Sequence, residues 1–336
     1  MISNNTIISQ LRTLYRNNAT LSMLIVIFIF LTFLFSIFLP GKIFSVGNFQ
    51  SMAYQLPELS ILAIAMMITM LSGGINLSII ATANASGIIT ATILTKVITA
   101  GSGNSFYISV VAILAGWAAA FLIGTINGFI IAYIGVSPIL ATLGMMTLLQ
   151  GLNILYTKGY VISGFPPEIL FIGNGTILGM IPFPLIIFLM IAFIIAILLD
   201  KTPFGVSNYL IGSNETASYL SGINVKRVLI WTYAISGLLC GVASTIMISH
   251  FNSARAGYGA SYLLVTILAA VLGGVNPYGG LGKVSGLVIA LFILQIASSG
   301  LNLLGVSTHF TKALWGIILI FVIGLRNIKF KNNIKN

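Results

Sequence analysis

The 336 residues are 58% hydrophobic and only 6% charged, with a mean hydropathy of +1.10, whereas a water-soluble domain carries about 25% charged residues. This excludes a soluble globular protein and predicts an all-α integral membrane protein in a lipid bilayer; the apolar runs are continuous and lack the alternation of a β-barrel. The net charge of +11 is scattered and forms no basic stripe, so it reads as loop charge that sets orientation, and no nucleic-acid partner is expected.

The chain opens with a polar segment, residues 1–20, in which Ile7, Ile8, Leu11, Leu14 and Tyr15 alternate with Arg12 and Arg16. It suits a short helix on the inner leaflet or an unstructured cytoplasmic segment. The apolar run that follows leads to no small-residue cleavage site, so the first helix is expected to stay as a span. Residues 21–326 read as one transmembrane domain of ten apolar segments: 21–39, 57–73, 76–97, 107–134, 137–157, 178–199, 228–249, 260–275, 284–304 and 310–325. A basic cytoplasmic tail, 327–336, ends the chain. Eight or nine spans are open alternatives, because Ser72-Gly73-Gly74 alone separates two segments and 260–275 is short for a span. Short or Gly-interrupted segments at membrane depth are tolerated where they face protein or a water-filled cavity, so these places are candidates for a transport path.

Between two long apolar runs lies a polar island, DKTPFGVSNYLIGSNETASYLSGINVKR, residues 200–227. Charge and open backbone in lipid cost several kcal/mol per group, so the island must lie in water, where a soluble partner can grip it. With ten spans and a cytoplasmic N-terminus, Arg12, Arg16, Lys201, Lys226, Arg227, Lys283, Arg326, Lys329, Lys331 and Lys335 fall inside. Only Lys42, Lys96, Lys158, Arg255 and Lys312 fall outside. Ten against five obeys the positive-inside bias and places both termini and the island in the cytoplasm. The longest outer loop, 157–176, has Gly, Pro and aromatics but one acid. A compact cap is expected there, either seating an external binding protein or shielding helix ends.

Catalytic chemistry has little to build on: the acids are Glu58, Glu168, Asp200 and Glu215, the histidines His250 and His309. Cys240, alone in an apolar run, excludes a disulfide framework and a thiolate metal site. No cofactor, no metal and no enzymatic activity are expected of this chain. No acid falls deep in a predicted span, which argues against an ion-coupled carrier; Glu58, after Pro57, reads as a capping residue at a helix start. Gly279-Gly280-Leu281-Gly282-Lys283 lacks the Gly and the Ser or Thr of a phosphate-binding loop, having Pro277 and Val284 there, so it reads as a tight turn and not as an ATP site. What remains is neutral polarity inside apolar helices: Asn76, Ser78, Asn84, Ser86, Thr125, Asn127, Thr142, Thr147, Gln150, Asn153, Gln295, Ser298, Ser299 and Asn302. Such side chains suit a neutral polyhydroxyl solute, and they equally join helices to one another. Gly124-x-x-x-Gly128 and Gly237-x-x-x-Gly241 are helix-packing motifs of low specificity.

Several long motifs in one order carry a family likeness: LSGGINLSIIATANASG, VSPILATLGMMTLLQGL, IGSNETASYLSGINVKR, AAVLGGVNPYGGLGKVSG and SSGLNLLGVS. From about Pro57 to Arg326 the chain resembles the membrane permease subunits of bacterial ABC importers for monosaccharides, the ribose-permease-like family. The resemblance implies a dimer of permease copies or paralogues, cytoplasmic ABC ATPase subunits, an external solute-binding protein and residence in the bacterial inner membrane. It implies that Gly212 to Asn224 forms the coupling helix seated on an ATPase, with Gly212, Asn214, Glu215, Ala217, Ser221 and Gly222 as its residues. Capping logic supports that helix: Asn214 can cap it, Glu215 favours its dipole and Gly222 can end it. Asn76, Ser78, Asn127, Thr142 and Asn302 are the candidates for the substrate pathway. Asn76 stands where the family often has Asp, and residues 252–265 lack its usual acidic pair, which leaves a pentose, a deoxyhexose or a furanosyl signalling molecule as the solute. The competing reading is a stand-alone secondary transporter or channel for a small neutral polar solute.

Overall fold

A computed structural model describes residues 19–99, 105–177, 179–307 and 309–320. Residues 1–18 of the expected leaflet segment and the basic tail lie outside them. Each of the ten expected apolar segments contains a helix within its described residues. Among the described residues, eight helices are long and apolar enough to cross a membrane: α1 (Ala19–Phe38), α2 (Val46–Leu71), α3 (Ile79–Thr99), α4 (Ser105–Phe129), α5 (Pro138–Thr157), α7 (Phe183–Lys201), α10 (Val225–Phe251) and α12 (Val284–Leu303). Two are shorter, α11 (Tyr262–Leu272) and α13 (His309–Ile320). Three short helices lie in the connections: α6 (Pro167–Asn174), α8 (Pro203–Ser213) and α9 (Glu215–Leu220). This is the architecture of a multi-pass membrane protein.

Helix α2 is the hub. From Ile61 to Leu71 it is apolar on all sides, apart from the small Thr69, and every one of these residues is fully enclosed, as an all-round hydrophobic helix must be. Around it stand α7, α10, α11 and α12, which share one continuous core. By contrast, α1, α4, α5 and α7 leave large side chains such as Phe33, Leu122, Leu155 and Phe193 exposed on the perimeter, where lipid would cover them.

The closest packing joins α4 to α10, and the two Gly motifs explain it. A Cβ on Gly124 would strike the carbonyl of Tyr233, one on Gly128 would stand 2.7 Å from the Cα of Ile230, and one on Gly241 would stand 3.1 Å from that of Trp117. Gly237 in turn faces Ala120 and Gly124. The two motifs are a single seam, one on each helix, along which backbones touch and dispersion contacts replace the missing side chains.

The expected cap is present. After α5, residues Ile162–Ser163 pair antiparallel with Ser253–Ala254, and α6 buries Ile169 beside Phe165. Polar ties hold it to the end of α10: Gly173 N–H donates to Ser249 Oγ at 2.6 Å and Phe165 N–H to Asn252 Oδ1 at 3.1 Å. Tyr54 Oη, early in α2, donates to the Asn174 carbonyl at 3.2 Å. The cap therefore marks one end of α2 and α10, and the polar island the other.

Candidate functional site

The island folds into two consecutive helices. Thr202 caps α8, its Oγ1 accepting from Gly205 N–H at 3.3 Å, and Asn214 caps α9, its Oδ1 accepting from Ala217 N–H at 2.9 Å. Glu215 occupies the first turn of α9 at the positive end of its dipole. At the other end Gly222 adopts φ +85°, its N–H donates to Tyr219 O at 3.0 Å, and Ile223 N–H donates to Ser218 O at 3.1 Å. That pair of bonds is a Schellman motif, and the left-handed residue it needs is glycine here. Ser221 Oγ donates to Ala217 O at 2.8 Å, satisfying one more terminal carbonyl. Six residues seldom form a stable isolated helix, so it is the two caps and the attachment to neighbours that hold this one.

The attachment runs through Gly212, at the end of α8. A Cβ there would overlap the Leu71 carbonyl at the end of α2, the same carbonyl that accepts from Gly280 N–H at 2.9 Å. Gly279, at φ +95°, would bring a Cβ to 2.6 Å from Gly212 O. Thus the end of α2, the end of α8 and the turn before α12 meet backbone to backbone, which is what the Gly279–Gly282 run does in place of binding phosphate. Two side chains reinforce the junction. Buried Asn208 donates from Nδ2 to Ile68 O at 3.0 Å and accepts at Oδ1 from Thr232 Oγ1 at 3.0 Å, bridging α8, α2 and α10. Tyr209 Oη donates to Gly282 O at 2.9 Å; burial, with the Asp200 carboxylate adding to it, pushes this phenol up to about 12, so it stays a donor. Sequence reasoning missed α8 and both these residues. Their only signal was a polar pair between apolar positions, Val206 and Leu210, within the island.

Five of the six α9 residues are exposed, Ser218 being the exception, and Tyr219 and Leu220 leave 70% and 78% of their surface uncovered. Between α9 and the end of the α4 segment lies an open cavity of about 710 Å³, walled by Glu215, Thr216 and Tyr219 on one side and Ile131, Ala132 and Gly135 on the other. The opposing wall belongs to a π-helical turn, Ile130–Ile134, that extends α4 and ends at Gly135 in the left-handed conformation. Lys226 Nζ sits 4.8 Å over the Tyr133 ring in the same place.

Four of the five pathway candidates converge and one does not. Asn76, Ser78, Asn127 and Thr142 are enclosed, between 0% and 2% exposed. Asn76 Nδ2 donates to Ser236 Oγ at 3.1 Å, Ser78 Oγ donates to Asn76 Oδ1 at 2.7 Å, and Asn127 Nδ2 donates to Ser78 Oγ at 2.9 Å. Thr142 Oγ1 accepts from Leu77 N–H at 3.1 Å. The web ties the segment after α2 to α4, α5 and α10, with Asn127 Oδ1 and the neighbouring Tyr233 Oη lacking a partner among the described residues. Asn302 is exposed near the end of α12 and lines a different cavity, with Gln55, Tyr262, Gln295 and Trp315.

One expectation is corrected. Glu58 does not start a helix: α2 begins at Val46, capped by Ser45, and Pro57 and Glu58 lie inside it. The early turns carry Asn48, Gln50, Ser51 and Gln55, polar residues that hide the helix in a hydropathy reading. Glu58 is therefore an acid within a span, 2% exposed. Tyr262 Oη donates to its Oε1 at 2.6 Å, and His250 Nδ1 lies 3.9 Å from Oε2, an ion pair only when that imidazole is protonated. A buried carboxylate thus lies within a span, where none was expected.

The family described as branched-chain amino acid transport system / permease component matches residues 48–323, and the chain belongs to it. The chain is 36% identical to the ribose import permease of Bacillus subtilis (strain 168) over 278 residues, 82% of this chain and 83% of that one. It is 33% identical to an autoinducer 2 import system permease of Yersinia enterocolitica over 282 residues, 82% of each. To the corresponding permease of Salmonella typhi it is 38% identical over 211 residues, 61% of this chain and 63% of that one. No solved structure matches. The class read from the motifs, a permease related to ribose importers, is the class the relatives have.

Proposed function

We propose that the chain is the permease subunit of an ATP-binding-cassette importer for a monosaccharide or sugar-like solute, such as ribose or another pentose, a deoxyhexose or a furanosyl signalling molecule. It works by alternating access. ATP hydrolysis resides in separate cytoplasmic ATPase subunits, a second permease copy or paralogue completes the pore, and an external solute-binding protein delivers the solute to the capped face. Both termini and α9 then lie on the cytoplasmic side of the bacterial inner membrane, in keeping with the positive-inside count.

The observation that carries this reading is α9 itself: a helix capped at both ends, pinned through Gly212 to the end of α2 and the turn before α12, yet presenting Tyr219 and Leu220 to water. Exposed apolar side chains on a rigid polar element mark a protein contact. The names of the relatives, ribose and autoinducer 2 import permeases, support the solute class. In vesicles holding the permease with its ATPase and binding protein, Glu215→Lys and Gly222→Pro should abolish ATP-dependent uptake while the permease still inserts and dimerises. Undiminished uptake by both variants rules the coupling role out, and uptake by the purified permease alone under an ion gradient favours a secondary carrier.

A further inference from the structure

We infer that the cavity between α2, α11, α12 and α13 is a membrane-embedded binding site for a single neutral polyhydroxyl ring, the permease's own solute site on the capped side. The inference rests on the transport reading and adds where in the fold, and to what chemistry, the solute binds. The cavity holds about 290 Å³, at the lower edge of the roughly 300–1,000 Å³ of small-molecule sites, which fits one ring and not two.

Its wall is amide and hydroxyl. Gln295 Nε2 donates to Gln55 Oε1 at 3.3 Å across the cavity's α2–α12 side, leaving the second proton of that amide and the Gln55 carbonyl lone pair free to a ligand. The side chains of Ser298 and Asn302 make no hydrogen bond with the described residues. A helical serine hydroxyl either bonds back to its own backbone or points away from it, and that of Ser298, making no such bond, can meet a ligand. Amides and hydroxyls both donate and accept, as each hydroxyl of a polyol does, whereas a phosphate or carboxylate accepts only. Among the described residues no carboxylate lines the cavity, and Lys312 is its single charged wall residue.

Two aromatic rings complete it. Trp315 is 7% exposed, and Tyr262 is fixed by its bond to Glu58, so its hydroxyl is engaged and its ring serves as wall. An apolar face beside convergent polar groups is what a sugar ring, with C–H faces and O–H edges, requires. Glu58 is in this view a positioning residue for Tyr262. Gln55 lies sixteen positions before Leu71, roughly 24 Å at 1.5 Å per residue, so the site belongs to the capped half of the span. The web around Asn76 differs, because most of its donors and acceptors already bind one another.

Cys240 is fully enclosed, so a cysteine introduced elsewhere in the full-length chain is the one a water-soluble methanethiosulfonate reagent can reach. In detergent-purified protein, Ser298→Cys should react, and D-ribose or autoinducer-2 at millimolar concentration should slow the reaction several-fold. Adding Gln295→Leu should remove that protection, while Ser236→Cys in the closed web stays unreactive. If Ser298→Cys does not insert, Asn302→Cys takes its place. No reaction at either position, equal rates with and without both solutes, or protection by ribose 5-phosphate alone overturns the proposal. Labelling needs no ATPase, so protection without ATP-driven uptake would retain the site and discard the importer reading, and the converse result would do the reverse.

Discussion

Asn76 and Asn302 are the same residue type in apolar helices, yet their surroundings assign them opposite tasks. Asn76 has its amide and carbonyl engaged by Ser236 and Ser78 out of contact with water. Removing it leaves buried hydroxyls and an amide N–H unsatisfied, which costs about 1–3 kcal/mol. Asn76→Ala should therefore lower the thermal unfolding temperature of the purified permease, whereas Asn302→Ala should leave it unchanged and raise the KM for uptake. Equal thermal shifts in both variants would contradict this division. Glu58 makes a similar point about context: Pro57 before an acid is a helix-start signature, but here both lie inside α2, with Glu58 bonded to Tyr262 of a neighbouring helix.

Among the elements, α9 and the α4–α10 seam depend on glycine for different physical reasons. Gly222 is needed for its φ of +85°, with no atom within 4 Å of an added Cβ. Gly222→Ala should cost about 1 kcal/mol, fray α9 and lower solute-stimulated ATP hydrolysis without reducing the amount of inserted protein. Gly237 is needed for space, since a side chain would run into the Ala120 carbonyl. Gly237→Val should force α4 and α10 apart and sharply reduce the yield of monodisperse protein in size-exclusion chromatography. Both glycine motifs and the α9 caps were legible in the sequence, because caps and small-residue spacing are local. Helix α8 was not legible, since its polar residues Asn208 and Tyr209 find their partners on α2, on α10 and in the turn before α12.

For the molecule as a whole, the island and the cap terminate the same two helices, α2 and α10, at opposite ends. Between α9 and the capped half the connection is packed helix throughout, α8 being bonded to both α2 and α10. Asn208 is the polar bolt in that path. Asn208→Leu should leave the Ile68 carbonyl unpaired in a buried place and weaken the junction, so the expected outcome is ATP hydrolysis that persists while uptake per ATP falls. An unchanged transport-to-hydrolysis ratio in reconstituted vesicles would exclude this role.

The amino-acid sequence alone determined the solvent, the class and the short capped helix α9. Continuous apolar runs admit only helices in lipid, a polar island among them must lie in water, and the order of motifs is that of a permease family. Tertiary structure alone decided what each polar side chain does. Hydropathy records how polar a residue is but not whether its hydrogen bonds close on a neighbouring helix, as at Asn76, hold an aromatic wall, as at Glu58, or face a cavity, as at Asn302. Those partners lie far away in sequence, Tyr262 more than two hundred residues beyond Glu58, and only packing brings them together.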